Sequence, residues 1–479
     1  MPGHTLSIKS ARSLGEALRK NSTLERLSFG DERFGDDGLA ALVAGIGVGS
    51  SLQCLDLELR GLGAPSATRL GAVLASPQKA PLVELILGRN RLGENATAFA
   101  ELLGGLCAMT SMTKLDLSSN LIDSEAAANL EVLNEHAALC TLHLDSNPIG
   151  PSAPIPSLIP SLPSLRTLVL EGCALGDSGI SALATILQST NLTDLDLSKN
   201  DASALSMAAL AQGLNASLRV LRCSENPDVG DQGSIIFAES IARAPLLQLN
   251  WSRNGATGVG AAALVQSQCT QGLVLLGNTI GDDGASVLAA SLKDTPSPGP
   301  SVLKELDLTG AGFSVGCLEV LLPALKSLDL SSVVLGGNKI GAEGRELLDA
   351  FEKETGVSVA YDVEADPDAA DGESKTDTLA GAVEATAASS PSPELASSPQ
   401  WIGKPPPTPE ESMASASAVT ALFSVGNEVE ITGLATMTKY NGLKGIISSE
   451  LVNGRYSVWI VSESKAIAVK PENIHLDVS

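Results

Sequence analysis

Aromatic residues are scarce: seven Phe, three Trp and three Tyr make up 3% of 479 residues, although 44% of the chain is hydrophobic. An interior built with so few rings is filled by Leu, Ala, Val and Ile, which favours many thin stacked layers over a few thick cores. Basic residues are also few, 31 Lys and Arg against 55 Asp and Glu, for a formal charge of −24 at pH 7. Such a chain repels phosphate at long range, so nucleic acid is not an expected partner and a basic protein surface is. Histidine occurs only at His4, His136, His143 and His475, none with a companion at metal-ligand spacing, so neither a metal nor a cofactor is expected. The seven cysteines are odd in number, widely spaced and never in a CxxC pair, and read as free thiols. No apolar run reaches the roughly 18 residues of a membrane span, and the N-terminal MPGHTLSIKSARSLGEALRK holds no signal-peptide core. A cytoplasmic location is therefore expected, with the nucleus and cilium left open. Neither a phosphate loop nor a G-x-S-x-G elbow occurs, so no catalytic residue is assigned and the chain is not expected to be an enzyme.

What the sequence has is one segment repeated: LQCLDLELR, LVELILGRN, MTKLDLSSN, LCTLHLDSN, LTDLDLSKN and LRVLRCSEN. Units begin at Leu24, Leu52, Leu82, Met112, Leu139, Leu165, Leu192, Leu218, Leu246, Thr270, Leu303 and Leu330, a mean period of about 28 residues. Alternating apolar residues within each unit predict a short strand with its first, fourth and sixth positions inward and its third, fifth and seventh outward. The ninth position is Asn at 90, 120, 147, 200, 226, 254, 278 and 338, where a short polar side chain can satisfy backbone as the strand turns away. Cys173, Glu32, Arg60 and Ala311 interrupt that series. Segments such as FGDDGLAALVAGI and IGDDGASVLAASL then read as helices, with Gly easing the entry and Asp accepting from free amides at the helix start. Residues 5–20 are expected to form a capping helix, and Val357–Tyr361 a closing strand. PIGPSAPIPSLIPSLP, residues 148–163, is too rich in proline for a regular helix, so an extended or 3₁₀ segment is expected, and 294–300 enlarges another loop.

These repeats, with LDLSSN-like strands and IGDDGA-like helix starts, resemble the ribonuclease-inhibitor-type subfamily of leucine-rich repeats over about residues 1–360. The resemblance implies an α/β solenoid, a horseshoe with a parallel sheet on its concave face and helices outside. Residues 1–361 are assigned to that solenoid. Residues 362–417, Ala/Ser/Pro-rich and acidic, read as a disordered linker in which KPPPTP is a stiff spacer, with a polyproline II ligand for an SH3 or WW domain as the alternative. In 418–479, EVEIT, KGIIS, RYSVWIV and AIAV are β-type runs, with Gly426, Gly442 and Gly445 placed for tight turns and Pro471-Glu472-Asn473 leading to a last strand. This part resembles small SH3-like barrels of the KOW-like kind. It lacks a basic excess, so a protein or peptide is the expected partner, with Tyr440, Tyr456 and Trp459 as candidate contacts, although core packing is the default reading and explains at least one of them.

With no constellation for chemistry, function is expected on a surface. The outward strand positions carry Asp56, Glu58, Glu84, Asp116, Asp145, Glu171, Asp194, Asp196, Glu305 and Asp307 against Arg26, Lys114 and Arg222, with His143 among them. The partner-binding set is therefore Asp56, Glu58, Glu84, Asp116, His143, Asp145, Glu171, Asp194, Asp196, Arg222, Glu305 and Asp307. Such a face would steer a basic protein by salt-sensitive attraction. The expected function is a non-enzymatic scaffold that holds one partner on the solenoid and recruits a second through the barrel. The alternative follows from similarity of the repeat type to Ran GTPase activators, which combine such a solenoid with acidic sequence: it implies activation of a small GTPase in trans, with Arg60 as the loop arginine to test.

Overall fold

The computed structural model describes residues 6–43, 45–46, 51–77, 80–241, 246–294, 302–361, 428–432, 441–447, 456–460 and 465–476. The chain divides into two units, 1–371 and 372–479. In the first, thirteen strands run in sequence order, each parallel to the next: β1 Arg26–Ser28, β2 Cys54–Asp56, β3 Glu84–Ile86, β4 Lys114–Asp116, β5 Thr141–His143, β6 Thr167–Val169, β7 Asp194–Asp196, β8 Val220–Arg222, β9 Leu246–Asn250, β10 Thr270–Val274, β11 Glu305–Asp307, β12 Ser332–Val334 and β13 Ser358–Ala360. Every one of the twelve units read from the sequence supplies one strand, β13 is the expected closing strand, and the N-terminal helix spans Ile8–Leu18. Parallel strands sit about 4.8 Å apart while packed helices need about 8–10 Å, so helices on one side bend the stack with the sheet inside. Where helices approach closely they do so over glycine: a Cβ on Gly105 would lie 2.2 Å from the Gly71 carbonyl oxygen.

The register aligns the fourth positions, Leu27, Leu55, Leu85, Leu115 and their successors, as one column. With the first and sixth positions they form a continuous core in which most side chains are wholly enclosed. Trp251 occupies a sixth position; its indole N–H donates to Ser234 Oγ at 2.9 Å and its ring packs 4.7 Å from that of Phe237. Burying the largest side chain of the solenoid thus leaves its polar atom satisfied.

The ninth-position asparagines are buried and tie successive units together. Asn147 Oδ1 accepts from the amides of Asn120 and Ile122 in the preceding unit, and its Nδ2 donates to the carbonyls of Leu117, Leu144 and Asp145. The same pattern recurs at Asn90, Asn226 and Asn278. Cys173 holds its place in the series with a thiol facing the carbonyls of Leu144 and Glu171 at 3.3 and 3.7 Å.

Aspartates of the GDDG type act differently from the sequence expectation. Each sits in the first turn of its own helix but accepts from the start of the next one. Asp177 takes the Ser203 amide and Ser206 hydroxyl, Asp231 the amides of Thr257 and Gly260, and Asp282 the Ser314 amide at 2.7 Å. The glycine before each, such as Gly176 and Gly281, has φ of 56° and 64°, a left-handed turn that a Cβ would strain.

Outer segments shorten where expected and in one further place. Residues 148–163 hold one helical turn, Ile155–Leu158, followed by a 3₁₀ turn, Ile159–Ser161. In the preceding unit the helix also ends early, at Ser124–Ala127, and continues as 3₁₀ over Ala128–Glu135. There Asn129 Nδ2 reaches the carbonyls of Ala126 and Ala96, competing with regular helical pairing. The enlarged loop at 294–300 lies almost wholly outside the described residues, as does all of 362–417.

The second unit contains β14 Glu428–Ile431, β15 Lys444–Ile447, β16 Tyr456–Ile460, β17 Lys465–Val469 and β18 Ile474–Leu476, paired antiparallel in the order β17-β16-β15-β14-β18. Among its described residues, Val429, Ile431, Val458, Val469 and Ile474 are buried hydrophobics. Gly442 makes the expected turn at φ 82°, whereas Gly445 lies within β15, paired with Val429 on one side and Ile460 on the other. A glycine there serves close strand approach, not a turn. Gly426 and Tyr440 lie outside the described residues.

Candidate protein-binding surface

The sheet's inner face is laid out by register. The fifth-position column reads Ser28, Asp56, Ile86, Asp116, His143, Val169, Asp196, Arg222, Asn250, Val274, Asp307, Val334 and Ala360. The third-position column carries Arg26, Glu84, Lys114, Asp194 and Glu305. The expected residues therefore do lie on one face, but in separate groups. Asp116, His143, Asp145, Glu171, Asp194, Asp196 and Arg222 cluster over β4–β8. Asp56, Glu58 and Glu84 lie at β2–β3, and Glu305 and Asp307 stand on β11 beyond the uncharged inner residues Gln248, Asn250, Gly272 and Val274 of β9 and β10.

Several fifth-position carboxylates have a local job. Asp56, Asp116, Asp196 and Asp307 each accept the amide two residues on, at 2.8–3.0 Å, and Asn250 does the same for Ser252. One oxygen thus holds the turn that ends the strand, and the second remains for other contacts.

Cations at the eighth position, one place outside the outward strand positions, lower the acidic excess. Arg89, Lys199 and Arg253 adopt left-handed backbone, φ 51–56°, and flank the inner face along its rim. Arg89 lies 3.4 Å from Glu58, Lys199 bridges Glu171 and Glu225 at 2.8 and 3.5 Å, and Arg253 is 3.6 Å from Glu225. Glu84 pairs with Arg26 at 2.7 Å. The signal was legible: each rim cation immediately precedes a ladder asparagine, as in GRN, SKN and SRN. Partly exposed pairs of this kind contribute little stability, but they remove Glu58, Glu84 and Glu171 from the uncompensated set.

What remains without an ion pair to Lys or Arg among the described residues is central. Burial, then the charges of Asp116, Glu171 and Asp196, push the Asp145 carboxyl up to about 7. Burial also raises Asp194 and Asp196, against the opposing charge of Arg222, and raises Glu305. His143 lies 4.0 Å from Asp116, yet burial lowers its affinity for a proton. Carboxylates held together in a partly dry site are stabilised by an incoming cation. Among the described residues no group of His, Cys, Asp and Glu is arranged to hold a metal ion, and no helix is long and apolar enough to cross a membrane.

Arg60 departs from its assigned role. It is 9% exposed, with Nε donating to the Phe29 carbonyl and Nη1 to those of Glu58 and Leu59. Phe29 O corresponds to the carbonyl that a ladder asparagine takes from the preceding unit, so the guanidinium replaces the missing amide and is not a free finger. Cys173 and Cys223, by contrast, are core residues, and burial pushes Cys173 up to about 12.

A family model described as Leucine Rich repeat matches residues 108–130, 161–184 and 188–211. The ribonuclease inhibitor of Sus scrofa is 30% identical over 342 residues, and that of Mus musculus 29% over 345; each alignment covers 67% of either chain. NACHT, LRR and PYD domains-containing protein 3 of Rattus norvegicus is 29% identical over 216 residues, 44% of this chain and 20% of that protein.

Proposed function

The chain belongs to the ribonuclease-inhibitor-type leucine-rich-repeat family, and from that premise we propose that it is a non-enzymatic scaffold whose inner sheet face binds a basic protein. One observation carries this reading: the carboxylates Asp116, Asp145, Asp194 and Asp196, none in an ion pair with Lys or Arg among the described residues, gather over β4–β7, in a site where burial raises three of them. A partner's lysines and arginines relieve that repulsion, and the sheet holds the acceptors in place before contact, so little ordering cost is added. Asp56, Glu305 and Asp307 extend the surface on either side. Two relatives are named for inhibiting ribonuclease, which makes a ribonuclease the first partner to try. The five-stranded C-terminal sheet is read as an SH3-like barrel and a second recruitment module, and the chain as cytoplasmic. Activation of a small GTPase in trans loses its candidate arginine, because the Arg60 guanidinium is committed to backbone carbonyls.

Binding of a basic pancreatic-type ribonuclease and of an acidic control protein, at about 50 and 300 mM salt, tests the reading. Asp56→Asn, Asp116→Asn, Asp145→Asn and Asp307→Asn combined should weaken the basic protein's binding at least tenfold, with salt producing a similar loss. Equal affinity of wild type and variant would refute the inner-face assignment.

A further inference from the structure

Among the described residues, the buried side-chain nitrogens and oxygens without a hydrogen-bond partner are both ring nitrogens of His136, Asn254 Nδ2, Thr309 Oγ1 and Asp194 Oδ1. Asp194 is the carboxylate in that set, and it stands at the third position of its repeat, the first residue of β7, on the inner face. It is 4% exposed, and Oδ2 accepts the Thr193 hydroxyl at 2.8 Å while Oδ1 accepts nothing. Two residues on, with its side chain on the same face, Asp196 is 8% exposed and opposes Arg222 across the β7–β8 register. Arg222 exerts an opposing charge on both aspartates, yet among the described residues it forms no ion pair within 4.0 Å with either. A carboxylate left this way loses water without gaining a donor, a deficit that a ligand can fill.

We propose, building on the inner-face reading above, that Asp194 with Asp196 is the anchor for one lysine side chain of the basic partner, whose ammonium donates to Asp194 Oδ1 as Arg222 swings aside. The chemistry selects ammonium over guanidinium. Oδ2 is already engaged by Thr193, so the two-pronged fork of an arginine finds only one free oxygen, whereas an ammonium needs one acceptor and tolerates varied directions. A metal ion is a poorer fit, since no group of three ligating side chains is arranged for it among the described residues. Burial at the centre of the face, with ion pairs at its rim, is where one contact carries most weight.

The test uses the full chain and three probes: octalysine, octaarginine and fully Nε-acetylated octalysine, titrated by calorimetry at low salt. Asp194→Asn keeps the side chain's shape and the Thr193 contact, and should weaken octalysine tenfold or more while weakening octaarginine less than about threefold. Asp201→Asn, an identical charge change on an exposed residue outside the strand, should alter octalysine binding less than twofold. Arg222→Gln should tighten octalysine, an opposite-sign result that a purely structural role for this trio would not give. Equal losses in the Asp194 and Asp201 variants overturn the anchor. If the four-site variant described above is still weakened in that case, the acidic face stands without it; if octalysine binds neither wild type nor variants, both fail. Competition by magnesium or calcium that disappears in Asp194→Asn would reassign the site to a metal and also overturn the lysine.

Discussion

Replacing Asn147 by Ala removes one rung of the asparagine ladder from the middle of the array. Its Oδ1 is the acceptor for the amides of Asn120 and Ile122 at 2.8 and 3.1 Å, and all three residues are fully buried. No water reaches those amides, so the variant orphans two donors and also withdraws Nδ2 from the carbonyls of Leu117, Leu144 and Asp145. At about 1–3 kcal/mol for each orphaned group, the two amides alone cost about 2–6 kcal/mol. With a urea slope of about 3 kcal/mol/M, a loss of about 4 kcal/mol lowers the midpoint by about 1.3 M. The converse change is Cys173→Asn, which installs a full amide where a thiol makes weak contacts at 3.3 and 3.7 Å, and should gain about 1 kcal/mol. Urea unfolding followed by circular dichroism measures both. Hydrogen exchange over residues 118–123 supplies a local readout, since the Asn120 and Ile122 amides must lose protection in Asn147→Ala. A shift below about 0.5 kcal/mol with protection unchanged would refute the argument that the ladder joins the units.

Arg60→Ala should cost about 2–3 kcal/mol by stripping donors from the carbonyls of Phe29 and Glu58, and Arg60→Asn should recover most of it by restoring the ordinary rung. A melt of the three proteins checks this; Arg60→Asn as unstable as Arg60→Ala would show that the guanidinium does something an amide cannot. For Asp145 the folded chain holds a proton that the unfolded chain, near 3.8, has released, so stability falls as pH rises from about 4 to about 7 and levels above that. Asp145→Asn should flatten this part of a stability profile measured by urea titration at several pH values, and an unchanged slope would place the proton elsewhere.

Most of the solenoid was legible because each element carries its own local cause. The first, fourth and sixth apolar positions are enough to place all twelve unit strands, and the register follows from stacking the fourth-position Leu column. Lateral relations were harder. Nothing in FGDDG or LGDSG says whether Asp accepts from its own helix or the next one, since the choice depends on the offset between neighbours, and Asp177 chooses Ser203. The short helix at Ser124–Ala127 is illegible for a similar reason: the competing acceptors of Asn129 include Ala96 of the previous unit. For the surface, an outward position is readable but its neutralisation is not. Glu58 and Glu171 are outward as expected, yet their cations come from the eighth position of the following unit. Arg60 shows the same limit, as a loop residue by position that becomes an internal donor once the Phe29 carbonyl is stacked beneath it.

The local roles of the inner-face aspartates bear directly on binding. A carboxylate that already accepts from the amide two residues on, as Asp116 and Asp196 do, cannot rotate freely to meet a partner. Its second oxygen is therefore aimed by the strand itself, and the ladder beneath fixes the strand. Free acidic side chains on a flexible segment would reach the same net charge but would lose rotamer freedom on contact, at about 0.5–1.5 kcal/mol for each side chain immobilised. On this sheet that cost falls during folding and not at association. It follows that changes which loosen the ladder without touching a charge, such as Asn147→Ala, should weaken a basic partner through faster dissociation. Charge removal at the edge of the face, as in Asp307→Asn, should instead act mainly on the association rate and vanish at high salt. Separating the two rate constants for these two variants therefore distinguishes a preorganised surface from a diffuse acidic one.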